Sequence, residues 1–157
     1  MMKSNMNNVD SEIISVIKLF SKAIKKKGIK QVVALLDEID TEKKYKQTEL
    51  ELIKFIKKET SQSFQVSPTD LSRKNIRGTA VEARSMCFVL IKKYLNYKHT
   101  DIAYLFNSKN HSLVSNAIKE FRELNYEVKK DRRFLEIYTD IDKKTEEFKN
   151  NLWLNHS

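Results

Sequence analysis

The run Asp101-Ile-Ala-Tyr-Leu-Phe-Asn-Ser-Lys-Asn-His-Ser-Leu-Val-Ser-Asn-Ala-Ile118 holds two apolar faces separated by a polar break. Ile102, Ala103 and Phe106 share one face of a short helix. Val114, Ala117, Ile118 and Phe121 share one face of a second. Between them, Asn107-Ser-Lys-Asn110 is a four-residue polar stretch of the kind that turns a chain sharply. Asn110 can cap the second helix by accepting from the free backbone N–H of Ser112 or Leu113. Two short helices about a tight turn make a helix-turn-helix. The second of them opens with small polar groups suited to base edges.

Upstream, Asn96-Tyr-Lys-His-Thr100 links this motif to a long helix expected from Thr79, and Thr100 is the natural N-cap for Asp101-Ile-Ala103. The long helix turns Ala80, Ala83, Met86/Cys87, Leu90/Ile91 and Tyr94 inward and leaves Arg84, Lys92 and Lys93 off that face. Before it, Arg73-Lys-Asn-Ile-Arg-Gly78 is a basic loop, a source of cations for phosphates. Ser67 ahead of Pro68 favours a helix start with proline in the first helical position. A helix over Gln47–Ser61 turns Leu50, Ile53 and Phe55/Ile56 inward.

At the N-terminus, residues 1–8 read as frayed. From Val9 an apolar residue recurs every three or four positions through Ile13, Val16/Ile17, Phe20 and Ala23/Ile24. Lys25, Lys26 and Lys27 fall in the last turn and Gly28 closes it. Ile29, Val32/Val33, Leu36 and Ile39 form the face of a second helix running into a polar link, Asp40–Lys44. Both faces are too wide for a simple coiled-coil seam, so this hairpin needs a partner in cis or in a second subunit. Downstream, the recognition helix continues through Leu124, and Asn125–Arg133 reads as a charged connection. Phe134–Tyr138, Ile141 and Phe148 mark a closing amphipathic helix, and Leu152, Trp153 and Leu154 a small apolar tail.

With two glycines and one proline in 157 residues, the chain favours helices throughout, and the fold class is all-α. The net charge of +9 is unevenly spread. Residues 1–72 hold 13 basic against 10 acidic side chains, residues 73–133 hold 14 against 6, and residues 134–157 hold 3 against 5. The positive charge thus concentrates around the opening motif, as a nucleic-acid footprint does. A single cysteine, Cys87, excludes an intramolecular disulfide framework, fits a reducing cytosol and lies in an apolar run as a core residue. No apolar run reaches membrane-spanning length, so no membrane association is expected and the protein is expected in the cytoplasm, near the nucleoid.

From Ala83-Arg-Ser-Met86 through Phe121 the chain resembles the C-terminal DNA-binding domain of the bacterial replication initiator DnaA, a Trp-repressor-like helix-turn-helix. That family carries a basic loop, then a helix beginning near Pro-Arg-Gln-Met. It continues with Ile-Gly-x-x-Phe-Gly-Gly-Arg-Asp-His-Thr-Thr-Val and an alanine in the recognition helix. Here the run reads Ile102-Ala-Tyr-Leu-Phe106-Asn-Ser-Lys109-Asn110-His111-Ser112-Leu113-Val114, with Ala117 three positions on and no gap. The resemblance reaches back to about Leu50 and forward weakly to Phe148. It implies double-stranded DNA as partner, with Asn110, His111, Ser112 and Leu113 meeting bases. Lys109, Arg77, Arg84 and Lys98 would hold phosphates, Arg77 entering the minor groove, and Thr100 and Asn116 complete the DNA-binding set. Asn110 in place of the family's aspartate shifts preference towards adenine, and Leu113 in place of threonine offers an apolar contact to a thymine methyl.

The initiator's ATPase needs a Gly-x-x-x-x-Gly-Lys-Ser/Thr loop, which two glycines fifty residues apart cannot make. The sequence therefore divides into an N-terminal helical segment (1–45), a DnaA-like DNA-binding domain (46–150) and a tail (151–157). The segment 9–45 offers a surface for a homodimer or for a protein partner. The leading function is a sequence-preferring DNA-binding protein, either a transcription regulator or an accessory or mobile-element (phage) replication factor. The alternative is a protein-interaction module on a degenerate helix-turn-helix scaffold. Three histidines without ligand or acid–base spacing point to no enzyme, metal or cofactor.

Overall fold

The computed structural model describes residues 3–44 and 46–156, and among these every regular element is a helix or a 3-10 turn. The order is α1 (Lys3–Lys27), α2 (Ile29–Lys44), α3 (Gln47–Phe64), a 3-10 turn (Pro68–Ser72), α4 (Thr79–Leu95), α5 (His99–Tyr104), α6 (His111–Arg122) and α7 (Lys129–His156). The chain folds as two compact units, residues 1–46 and 47–157.

In the first unit, the N–H of Gly28 donates to the carbonyl of Ile24 at 2.9 Å while its own φ is +84°, the left-handed geometry that ends a helix on glycine. Val32 is buried where the two helices meet, and Ala23 and Ile24 are half-buried. Beyond that corner the apolar faces of α1 and α2 lie open: Ile17 is 58% and Val33 48% exposed. Two sequence expectations are corrected. Helix α1 begins at Lys3 rather than Val9, and α2 runs through the polar Asp40–Lys44 stretch expected as a link. Adding a residue to an existing helix needs little apolar burial, and Lys and Glu are good helix formers. Met1 and Met2, at the start of the segment read as frayed, lie outside the described residues.

In the second unit α4 is the hub. Ala83, Met86, Cys87, Phe88, Val89, Leu90 and Ile91 are buried, so this helix is enclosed on nearly all sides rather than on the single face its spacing suggests. Phe88 and Val89 were missed because periodicity marks a face and cannot show that neighbours cover the other side. Helices α3 and α7 run antiparallel, since Phe55 stacks on Phe148 at 4.2 Å and Phe64 meets Phe134 at 6.0 Å. On α3 the inward residues are Leu52, Ile53, Ile56, Thr60, Ser61 and Phe64; Leu50 and Phe55 are half-buried flanks, and the helix extends past Ser61.

The C-terminal half needs three further corrections. Helix α6 ends at Arg122, two residues short of Leu124. The connection read as Asn125–Arg133 ends early because Asn125 Oδ1 accepts from the N–H of Glu127 at 3.0 Å and Asp131 accepts from the N–H of Asn125 at 3.1 Å, starting α7 at Lys129. Helix α7 then continues to His156, so Leu152, Trp153 and Leu154 are its last turns rather than a tail.

Candidate nucleic-acid interface

Helix α5 begins at His99, with Lys98 in extended geometry as its N-cap residue. Thr100 is therefore an exposed residue of the first turn and not the cap expected from sequence. At the other end, the N–H of Ser108 donates to Ala103 O and that of Asn107 to Tyr104 O, both at 3.0 Å, while Asn107 holds φ +55°. This pairing closes a helix on a left-handed residue, here asparagine where glycine is usual. Phe106 falls outside α5, yet it is 1% exposed and packs edge-on to Phe88 at 5.0 Å.

A buried cation fixes the turn from below. Lys57 Nζ on α3 donates to the carbonyl of Leu105 at 2.6 Å and lies 4.3 Å from the centre of the Phe106 ring. Burial holds its pKa below the ordinary lysine value. Lys57 sits four residues after Ile53, on the inner register of α3, but no motif position singles it out in the sequence.

Ser108 Oγ then accepts from the N–H of Asn110 at 3.1 Å, and Asn110 Oδ1 accepts from the N–H of Ser112 at 3.0 Å. The cap is the one expected. It also occupies one lone pair of Oδ1, which leaves Nδ2 as the uncommitted donor of Asn110. Val114 and Ala117 bury the inner side of α6, so His111, Ser112, Leu113, Asn116 and Lys119 point outward. Lys109 is exposed at the head of the helix and Lys98 at the start of α5. His99 Nδ1 pairs with Ser115 Oγ at 2.7 Å and ties the two helices together. Partial burial, with Lys92, His111 and Arg122 nearby, lowers the His99 pKa.

A second cationic group lies at the start of α4. Arg77 is exposed just before Gly78, whose φ is +61°. Arg84 is half-buried, with its pKa lowered by burial, and its Nη1 donates to Arg73 O at 3.5 Å. Arg73 in turn pairs with Asp70 at 3.0 Å. Arg84 thus braces the basic loop and is less open to a phosphate than its sequence position suggested. Val81 and Glu82, in the first turn of α4, share a groove with Leu124, just past the end of α6. The site residues fall into two clusters, one about the head of α6 and one at the start of α4. Arg122 lies near His99 and, with Lys119, went unmarked in the sequence, where no motif position singles it out.

Residues 53–120 match the family described as the bacterial dnaA protein helix-turn-helix. This segment is a DnaA-type helix-turn-helix. The match covers α3 from its second turn to near the end of α6, the region that holds both clusters, and it supports a DNA-binding role with double-stranded DNA as the implied partner. No ATPase module is evident in the chain. Neither curated proteins nor solved structures gave a match. Among the described residues, no helix is long and apolar enough to cross a membrane, and no group of three His, Cys, Asp or Glu side chains is placed to hold a metal ion.

Proposed function

We propose that the chain is a sequence-preferring, non-catalytic double-stranded DNA-binding protein of the cytoplasm. It acts as a transcription regulator or as an accessory replication factor of a phage or other mobile element. One observation supports it most: the DnaA-type α6 is anchored by Val114 and Ala117 and turns His111, Ser112, Leu113 and Asn116 outward from its first turns. In this reading those side chains, with Asn110, enter the major groove. Lys98, Thr100 and Lys109 hold the phosphates beside it, while Arg77 reaches an adjacent groove and Arg84 supports the loop.

Selection from a random duplex pool, with sequencing of the bound fraction, tests the sequence preference. A gel-shift salt titration tests the electrostatics, because about six phosphate contacts give a log–log slope near −5. A slope near zero, or selection with no enriched motif, rejects the reading. Leu113, an apolar side chain 37% exposed on the outward face, favours the second reading, a protein-interaction module. A stable protein partner together with no affinity for random duplex would establish that one.

A further inference from the structure

The α1–α2 hairpin carries ten large apolar side chains that are 38–67% exposed, more than its own corner at Val32 can cover. Uncovered area on the order of 800 Å² equals one partner's share of a standard protein interface and exceeds what soluble monomers usually leave open. Two features of α1 identify the occupant. Ile13, Val16, Ile17 and Phe20 recur along one side of the helix, and the set is symmetric about the point between Val16 and Ile17: Ile13 stands as far before it as Phe20 stands after. A copy of α1 laid antiparallel therefore meets Ile13 with Phe20 and Val16 with Ile17, apolar on apolar at each layer.

The charges divide by sign about the same midpoint. Asp10 and Glu12 precede it, whereas Lys18, Lys22, Lys25, Lys26 and Lys27 follow it, and all are exposed. Antiparallel pairing brings the acidic end of one α1 to the basic end of the other, and parallel pairing stacks like on like.

We infer that α1 is the two-fold interface of a homodimer, pairing antiparallel with α1 of a second copy. An isologous contact of this kind closes on itself and stops at two chains. It would deliver two recognition helices to one duplex, as two-fold DNA-binding proteins do.

The full chain is tested without DNA, by sedimentation or light scattering across a concentration series, so that failure here leaves the DNA-binding reading untouched. The expected mass is that of a dimer. Ile17→Glu, next to the two-fold axis, should raise the dissociation constant at least a hundredfold. Asp10→Lys/Glu12→Lys and Lys22→Glu/Lys25→Glu/Lys26→Glu should each dissociate alone, and an equimolar mixture of the two should restore the dimer. Helix content by circular dichroism confirms that the variants fold. A wild-type chain that stays monomeric, a dimer unmoved by Ile17→Glu, or a mixture that fails to re-associate overturns the proposal.

Discussion

At the scale of single residues, Asn110 does two separable jobs. Its Oδ1 caps α6, a bond whose loss to alanine costs about 1 kcal/mol of stability. Its free Nδ2 is the group left for a base edge. Asn110→Ser keeps a capping oxygen and removes the amide, so its melting temperature should stay near wild type while preference relaxes at one base position by about 1–3 kcal/mol. Asn110→Ala should lose both. Melting curves beside selected-sequence binding separate the two roles, and equal base preference in wild type and Asn110→Ser would remove Asn110 from the reading set. Lys109→Ala, by contrast, should weaken every sequence alike and flatten the salt slope by about one.

His99 sets a pH dependence at the same scale. Its folded pKa is lowered, by burial first and then by the surrounding cations. Near pH 6.5 and below, the unfolded chain takes up a proton that the folded chain resists. Stability is therefore constant above that range and falls as pH drops through it. His99→Gln should remove this acid-side loss, as read from urea midpoints at pH 5 and 7. Cys87 has the opposite sign. Its thiol is fully buried and pushed up to about 12, chiefly by burial against the pull of Thr60 and Lys57. The unfolded thiol ionises near pH 9 and the folded one does not, so stability declines as pH rises from about 9 towards 12.

At the scale of elements, the motif was legible because its information is local. Asn107 in the left-handed turn, Asn110 as cap, and Val114 and Ala117 as the inner face of α6 follow from residue chemistry at short spacing. What was illegible depends on distant partners. Lys57 is a solvated lysine in any local reading, and only the fold places the Leu105 carbonyl above it. Phe88 looked like the back of an amphipathic helix until α5 and the turn brought Phe106 onto its ring. Thr100 lost the cap position because α5 starts two residues earlier, at His99, capped by a lysine without a side-chain cap bond.

The Phe88–Phe106 contact couples the turn to the hub helix. Phe106→Ala should destabilise the unit by about 3–5 kcal/mol, the usual cost of truncating a buried aromatic. It should also lower DNA affinity at temperatures where the protein remains folded, because α6 loses its fixed angle on α5. Affinity unchanged in the folded variant would show that the turn does not position the recognition helix.

At the scale of the whole molecule, the amount of charge and its placement make different predictions. The buried core of the second unit is drawn entirely from residues 52–141, so residues 47–157 contain what they need to fold. Removing residues 1–46 takes away ten basic and six acidic side chains, and the net charge falls from +9 to +5. If diffuse positive charge drives binding, the salt slope should shrink with that loss. If α6 and the basic loop carry the contacts, the slope should stay near −5 for a single site. Placement outweighs amount, because the excess charge lies in residues 73–133, all of which remain. The shortened chain should therefore melt within a few degrees of the full one, bind a single site with the same salt dependence, and run as a monomer. A slope cut roughly in half would relocate the phosphate contacts to the first unit. A lost melting transition would show that the hairpin supports the DnaA-type fold itself.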